Sequence, residues 1–233
     1  MSERFFLRSP PRDGRAILDG DEARHLVRVL RGRVGDEVRV FDGTGSEWPA
    51  RIAALGRDEV ALEVGPPVVA AEASATPLTL AVALPKGERQ KWLVEKLTEL
   101  GVDRLVPLVV ERGVAEATPA AVERLRRGVI EACKQCGRNT LMEIGEPATI
   151  AGACAAPPAA GGRAILCDPA GPPLEDFALR GATAVVGLVG PEGGFTAEEI
   201  AAAVAAGAVR ASLGPHVLRV ETAAIALAAR LAR

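Results

Sequence analysis

The hydrophobic pattern of the chain changes at residues 65–77, and this change constrains the fold more than any other feature. Before it, short apolar runs are cut by turn signals such as the Asp-Gly-Thr-Gly at 42–45. After it, short apolar runs alternate with longer helical patterns, which is typical of βαβ units around a mostly parallel sheet. The segment between them holds three prolines and many small residues. We therefore predict an α/β protein with two domains, residues 1–70 and 75–233.

The first domain is predicted to be a small β-barrel, because its strands are short and regularly spaced. One helix, Glu22–Leu30 with Asp21 as its N-cap, interrupts the strands. The predicted strands are Arg4–Leu7, Ala16–Leu18, Glu37–Phe41, Trp48–Leu55 and Glu59–Val64.

The second domain is predicted to alternate strands with helices. Its strands are Leu78–Leu84, Leu105–Val110, Ala164–Cys167, Ala184–Val189 and Val209–Leu213. Its helices are Glu88–Leu100, Pro119 to about Cys136, a third helix that ends at Ala206, and Val220–Leu231. The third helix begins with a capping box formed by Thr196 and Glu199. Residues 151–162 are predicted to be an irregular connection.

Composition narrows the class of protein. With 48% hydrophobic and 25% charged residues, the chain is too apolar to be disordered. Its four cysteines are too few and too unevenly spaced for a disulfide scaffold, and no apolar stretch reaches the length of a membrane span or resembles a signal peptide. These features predict a cytoplasmic protein with reduced thiols and no membrane partner.

Charge is informative through its distribution. The net charge of −2 gives no overall basic footprint, but basic residues cluster at 24–33 and 124–138. The chain has only two tryptophans, five phenylalanines and no tyrosine, so a stacking platform for single-stranded bases is not expected. Any RNA contact should depend on charge and shape.

The segment Gly-Leu-Val-Gly-Pro-Glu-Gly-Gly-Phe at 187–195 joins a buried strand directly to a capped helix. Glycines there allow a ligand to approach the backbone, and the first turn of a helix favours a negative or electron-rich group. A nucleotide-like ligand fits this pattern, although a glycine-rich turn that only reverses the chain fits it equally well. The segment does not match the dinucleotide motif, and no acidic residue ends the following strand, which disfavours nicotinamide and flavin chemistry.

A second loop of similar construction lies at 212–224, where a strand end, a Gly-Pro turn and a helix start follow one another. Arg219 stands where the helix dipole disfavours a cation, so an anionic partner would explain its position. The alternative for Arg219 is a solvated ion pair with Glu221 or Glu192. The alternative for these two carboxylates is an ordinary interaction with the dipole of a first helical turn. Because ligands gather at the carboxyl ends of parallel strands, we expect the two loops to share one crevice.

Two further groups of residues have weaker signals. Cys133 and Cys136 have CxxC spacing, but they end a helix and lack the other ligands of a zinc site, so no metal is predicted. Lys86 and Arg89, near a strand-to-helix turn, either contact phosphate or form a solvated basic face.

Taken together, several strings resemble the bacterial 16S ribosomal RNA (uracil-N3) methyltransferases of the SPOUT superfamily along nearly the whole chain. The matching strings are RHLVRVLRGRVGDEVRVFDG (24–43), ALPKGERQKWLVEKLTELGV (83–102), EACKQCGRN (131–139), GPEGGF (190–195) and LGPHVLRVETAA (213–224). The resemblance implies a PUA-like β-barrel for RNA, a SPOUT-type α/β domain with a deep trefoil knot, and a homodimer. It also implies S-adenosyl-L-methionine as methyl donor and 16S rRNA of the small ribosomal subunit as substrate.

Carried over by position, the resemblance assigns site residues. Two departures from the family pattern are His216 in place of an arginine and Val220 in place of a threonine. The implied cofactor residues are Leu166, Cys167, Asp168, Leu188, Val189, Gly190, Glu192, Gly193, Gly194, Ser212, Leu213, Gly214, Val217, Leu218, Thr222 and Ala223. The residues expected to contact RNA are Arg24, His25, Arg28, Arg31, Lys86 and Arg89.

Methylation of uracil N3 requires removal of the proton on that nitrogen. We expect Glu221 first, and Glu192 second, to take or orient the proton, and Arg219 to stabilise negative charge on the flanking carbonyls. Arg138 is a candidate to hold the base or its phosphate. A methyltransferase for another RNA or base atom, an RNA-binding module without a cofactor, and a dinucleotide-dependent oxidoreductase remain alternatives.

Overall fold

The computed structural model describes residues 3–69, 76–155, 161–174 and 181–231. The chain forms two units. One comprises Met1–Glu72 and Cys133–Leu141, and the other comprises Ala73–Ala132 and Met142–Arg233. The sequence did not predict that residues 133–141 belong to the first unit.

The first unit is built on a six-stranded half-barrel sheet with the order β1-β3-β4-β5-β2, and β6 pairs with β4. Strand β1 runs parallel to β3, and the other pairs are antiparallel. In the described part of the chain no pairing joins β1 to β2, so the sheet does not close. The strands are β1 (Arg4–Phe6), β2 (Arg15–Asp19), β3 (Glu37–Phe41), β4 (Ser46–Leu55), β5 (Glu59–Val64) and β6 (Val68–Val69).

The predicted helix at 22–30 is wrong in its bounds and its type. The chain forms a short helix, α1 (Gly20–Arg24), followed by a π-helical segment, His25–Val29. The helix starts earlier because extended Asp19 ends β2 and serves as the N-cap, which places Asp21 inside the first turn. Leu26 of the π-helical segment is buried in the core of this unit, with Phe5, Ile52 and Leu62.

The segment 133–141 is held in the first unit by side chains of the N-terminal strands. Arg4 Nη1 donates a hydrogen bond of 2.7 Å to the carbonyl oxygen of Cys133, while Arg4 Nε lies 3.0 Å from Glu47 Oε2. Lys134 Nζ pairs with Glu22 Oε1 at 2.9 Å. The Arg4–Cys133 hydrogen bond and the largely buried Lys134–Glu22 ion pair therefore join residues 133–141 to the rest of the first unit.

The second unit contains a six-stranded, fully parallel sheet with the order β12-β10-β11-β7-β8-β9. Three strands end earlier than predicted, at Val82, Pro107 and Ala211. Ser212 stops the last of them, because its hydroxyl accepts a hydrogen bond from Gly214 N. The strands are β7 (Leu78–Val82), β8 (Arg104–Pro107), β9 (Glu143–Ile144), β10 (Gly162–Cys167), β11 (Ala184–Val189) and β12 (Val209–Ala211).

The helices are α2 (Arg89–Glu99), α3 (Pro119–Cys136), α4 (Ile150–Ala155), α5 (Ala197–Ala205) and α6 (Val220–Leu231). The predicted capping box of α5 is confirmed: the Thr196 hydroxyl accepts from Glu199 N, and the Glu199 carboxylate accepts from Thr196 N. Helix α4 lies where an irregular connection was predicted. In the described residues no helix has the length and apolarity of a membrane span.

Helix α6 packs closely on β11, and this contact fixes the site. A Cβ on Gly187 would lie 2.3 Å from Leu227 Cδ2, so only glycine permits the observed approach. Leu227 is fully buried. The first turn of α6 is thereby set beside the carboxyl end of β11.

Candidate active site

A cleft opens at the carboxyl ends of β10, β11 and β12. Because these strands are parallel and adjacent, the loops that follow them meet at one edge of the sheet. The open space of the cleft, including the solvent at its mouth, is about 770 Å³. Its lining residues are Cys167, Asp168, Pro169, Val189, Gly190, Pro191, Glu192, Gly194, Phe195, Ile200, Ser212, Leu213, Gly214, His216, Val217, Leu218, Val220 and Ala223.

The structure therefore brings both glycine-containing loops into one cleft. Of the predicted cofactor residues, Leu166, Leu188, Gly193 and Thr222 do not line it, and the others do. Leu166 and Leu188 point into the core and are fully buried. Gly193 lies on the outside of its loop, where its carbonyl accepts a hydrogen bond of 2.8 Å from Arg112 Nη1.

Sequence reasoning predicted apolar wall residues such as Val189 and Leu218 but missed two others, Phe195 and Ile200. The Phe195 ring covers Gly190, where a Cβ would lie 2.9 to 3.2 Å from ring carbons. An aromatic residue directly after Gly-Gly, before a helix cap, was the available signal. Gly190 is thus required because the ring occupies the space of a side chain.

The loop after β10 is fixed by one carboxylate. Asp168 Oδ2 accepts a hydrogen bond of 2.8 Å from Arg210 Nε, and Asp168 Oδ1 accepts one of 2.9 Å from Ala170 N. Asp168 is 9% exposed, so this ion pair is partly desolvated. The pair holds β12 against the loop after β10 and stabilises one wall of the cleft.

Cys167 contributes an uncharged surface to the cleft. Burial raises the pKa of the Cys167 thiol to about 12, because desolvation disfavours the thiolate. At neutral pH the group is therefore a protonated thiol and a poor nucleophile. Cys167 serves the cleft as an apolar wall residue.

The two candidate carboxylates occupy different environments. Glu192 lines the cleft with a 36% exposed side chain, whereas the Glu221 side chain is 6% exposed and does not line the cleft. Both face Arg89: its Nη1 lies 2.8 Å from Glu192 Oε1 and 3.6 Å from Glu221 Oε2. The ion pair that the sequence offered as an alternative for Arg219 is thus formed by Arg89.

Arg219 directly precedes α6, next to the cleft residues Leu218 and Val220. Its side chain is exposed, and among the described residues it has no hydrogen-bonding or ion-pair partner. Lys86 is also exposed, in the turn before α2. Both cations are free to meet an anionic ligand.

The remaining candidates belong to the first unit. Arg138 lies in its 133–141 segment. The predicted RNA contacts Arg24, His25, Arg28 and Arg31 are all exposed, on and just after α1 and its π-helical extension. They form a local basic surface of this unit.

Cys133 and Cys136 differ in their exposure to solvent. Cys133 is buried and Cys136 is exposed. Within the ranges that the structure describes, no three potential metal ligands cluster.

Comparison with known proteins gives the class of this fold and cleft. Residues 72–232 match the RNA methyltransferase domain family, and residues 18–65 match the RNA methyltransferase PUA domain family. The chain belongs to the RNA methyltransferase family, with an α/β catalytic domain and an N-terminal PUA-like domain.

Its relatives within the family carry a more specific name. The ribosomal RNA small subunit methyltransferases E of Synechocystis sp. and Mycobacterium bovis are 34% and 32% identical, over 87% and 94% of this chain and 67% and 87% of theirs. The enzyme of the same name from Neisseria gonorrhoeae, solved bound to S-adenosyl methionine, is 30% identical with a TM-score of 0.89. That match covers 99% of this chain and 97% of the other.

Proposed function

We propose that this protein transfers the methyl group of S-adenosyl-L-methionine to N3 of a uridine in 16S rRNA of the small ribosomal subunit. The observation that carries the proposal is the single cleft between the loops after β10, β11 and β12. It combines an apolar wall with a carboxylate at its edge and an exposed guanidinium beside it.

The cleft fits the proposed cofactor. Val189, Leu213 and Leu218 provide apolar surface of the kind that holds an adenine ring, and Gly194 lets a ligand approach the backbone closely. Gly194 has a φ of +68°, and no atom lies within 4 Å of a Cβ built there, so the loop presents open backbone. When bound, S-adenosyl-L-methionine supplies an electrophilic methyl group on a positively charged sulfur.

The chain's own residues then act on the uracil. At neutral pH its N3 carries a proton. Glu192 accepts or orients that proton, and the support for this role is that its carboxylate lines the cleft and is partly exposed. We put Glu192 before Glu221, in the reverse of the order predicted from sequence, because Glu221 is buried outside the cleft. Arg219 stabilises the negative charge that develops on the carbonyls beside N3.

RNA binding is assigned to exposed basic side chains. Arg24, His25, Arg28 and Arg31 of the first unit contact the phosphate backbone, as does Lys86 of the second. Arg138 holds the target base or its phosphate. The proposal includes domains at residues 1–70 and 75–233, a knotted C-terminal domain, and a cytoplasmic homodimer.

The test is transfer of labelled methyl groups from S-adenosyl-L-methionine to small ribosomal subunits lacking the modification, compared with naked rRNA. Nucleoside analysis by mass spectrometry should find 3-methyluridine. Arg219→Ala should lower turnover by about a hundredfold, the loss typical for one electrostatic contact to the transition state. The control is Lys91→Ala, which removes an exposed charge from α2. Methylation at another atom would refute N3 as the target, and the absence of transfer would refute the activity. Normal turnover by folded Arg219→Ala would refute the role of Arg219.

A further inference from the structure

Arg89 connects the cleft loop after β11 to the first turn of α6. Its Nη1 donates a hydrogen bond of 2.8 Å to Glu192 Oε1 and lies 3.6 Å from Glu221 Oε2. Arg89 is the first residue of α2, and α2 packs against α6. One guanidinium therefore joins α2, the loop and α6.

The burial of Glu221 shows why Arg89 stays in this position. Glu221 Oε2 is buried and has no hydrogen-bond partner among the described residues. A buried carboxylate is strongly unfavourable unless a cation lies close to it. Arg89 supplies that cation, and its release would leave Glu221 buried without the counter-charge.

The local charge also argues against a phosphate ligand. With Glu192, Glu221 and Arg89 all ionised, the cluster carries a net charge of −1, which repels an RNA phosphate. Both carboxylates lie at Arg89 Nη1, so a phosphate bound by the same guanidinium would lie beside two negative charges, and like-charge repulsion disfavours that contact. Lys86, three residues earlier, is exposed and has no described ion-pair partner, so it can meet phosphate without this cost.

We propose that Arg89 is a positioning residue. It holds the Glu192 carboxylate at the cleft edge and fixes the loop after β11 against the start of α6, so that it controls cofactor affinity and turnover without touching RNA. Glu221 is the buried end of this connection. The inference rests on the proposed function, because it assigns a task to the site that binds S-adenosyl-L-methionine.

The test compares the full chain with Arg89→Ala, Arg89→Lys, Glu192→Gln and the double variant Arg89→Ala/Glu192→Gln. Calorimetry measures the Kd of S-adenosyl-L-methionine without RNA, and methyl transfer gives kcat and the KM for small subunits. Lys91→Ala is the matched control, because it removes an exposed cation two residues away on the same helix. Thermal unfolding shows which variants fold.

We expect Arg89→Ala to weaken cofactor binding by about tenfold and to lower kcat by at least as much, a coupling typical of residues in one ion-pair network. The KM for small subunits should change by less than about twofold, since Arg89 is not an RNA ligand. In the Glu192→Gln background the same substitution should cost only about threefold in affinity, because one of its two partners is already lost. Lys91→Ala should bind the cofactor like the wild type.

The opposite pattern overturns the proposal: unchanged cofactor affinity and kcat with a raised KM would make Arg89 an RNA ligand. Equal losses from Arg89→Ala in both backgrounds would also overturn it, because Glu192 would then play no part. If Arg89→Ala does not fold, Arg89→Lys is used to test the positioning role of Arg89. A lysine reaches one carboxylate as a point charge, so we expect about threefold weaker cofactor binding at unchanged KM, and wild-type affinity would refute the inference. If the wild type binds the cofactor but methylates no small subunits, the proposed function is wrong. In that case the cofactor affinities of the variants still test the positioning role of Arg89.

Discussion

Replacing Gly190 by alanine tests how the cleft wall is built. A Cβ at this position would lie 2.9, 3.0 and 3.2 Å from three carbons of the Phe195 ring. Carbon atoms do not approach so closely, so the ring must move. Phe195 itself lines the cleft, and displacement in that direction narrows the proposed cofactor site.

Two effects of Gly190→Ala should be measurable. Overpacking of this kind costs about 1–3 kcal/mol of folding free energy. Narrowing of the cleft should weaken cofactor binding by at least tenfold, which corresponds to about 1.4 kcal/mol. Urea unfolding measures the first effect, and calorimetric titration with S-adenosyl-L-methionine measures the second.

A second glycine of the same loop provides the control. At Gly194 a Cβ meets no atom within 4 Å, but φ is +68°. Gly194→Ala should therefore cost roughly 1–2 kcal/mol of backbone strain without moving the Phe195 ring. Adding Phe195→Leu to Gly190→Ala should recover stability by more than about 0.5 kcal/mol relative to the sum of the single effects. Wild-type stability and affinity for Gly190→Ala, or strict additivity in the double variant, would refute the packing argument.

Other predictions concern buried groups away from this loop. Arg4→Ala should lower the free energy of unfolding by about 2–3 kcal/mol, because it removes one partner of the buried Glu47 while a second arginine still pairs with that carboxylate. Urea unfolding measures this loss. The control Arg8→Ala, which removes an exposed ion pair, should have little effect on the urea midpoint. Because burial raises the pKa of Cys167 from 9.0 to about 12, the folded chain keeps a proton that the unfolded chain loses. The protonated thiol of Cys167 therefore contributes fully to stability below pH 9, and this contribution falls as the pH rises from about 9 towards 12. Over that range Cys167→Ser should lose less free energy of unfolding than the wild type. In a labelling experiment at about pH 8, iodoacetamide should modify exposed Cys136 and leave Cys167 unmodified, which mass spectrometry can measure.

Local patterns predicted most of the elements. Strands β3, β5 and β11 and helix α6 have the predicted bounds, because turn residues or caps flank their apolar patterns. Helix α4 was missed because it is only six residues long and consists of small and apolar residues, so its buried face (Ile150, Ala153 and Cys154) does not differ in polarity from its other residues. The π-helical segment was missed because such segments are rare, and no residue type in His25–Val29 distinguishes one from an α-helix.

Long-range contacts could not be predicted from the sequence. The parallel sheet was predicted, but its strand order was not, because neighbouring strands are far apart in the chain. The placement of residues 133–141 in the first unit likewise depends on a distant contact, from Arg4 to Cys133. Arg89 and Glu192 are also far apart in the chain. The sequence analysis therefore named Arg219, and not Arg89, as a possible partner of Glu192. By contrast, the common position of the two glycine-containing loops could be expected, because both follow strands of one parallel sheet.

The most direct measurement is a crystal structure of the protein with S-adenosyl-L-methionine bound. We expect the adenosyl group between the loops at 189–195 and 212–218, with the methyl-bearing sulfur facing the side of the cleft that carries Glu192 and Arg219. Cofactor bound elsewhere on the chain, or a cleft closed by its own side chains at saturating cofactor, would contradict this expectation.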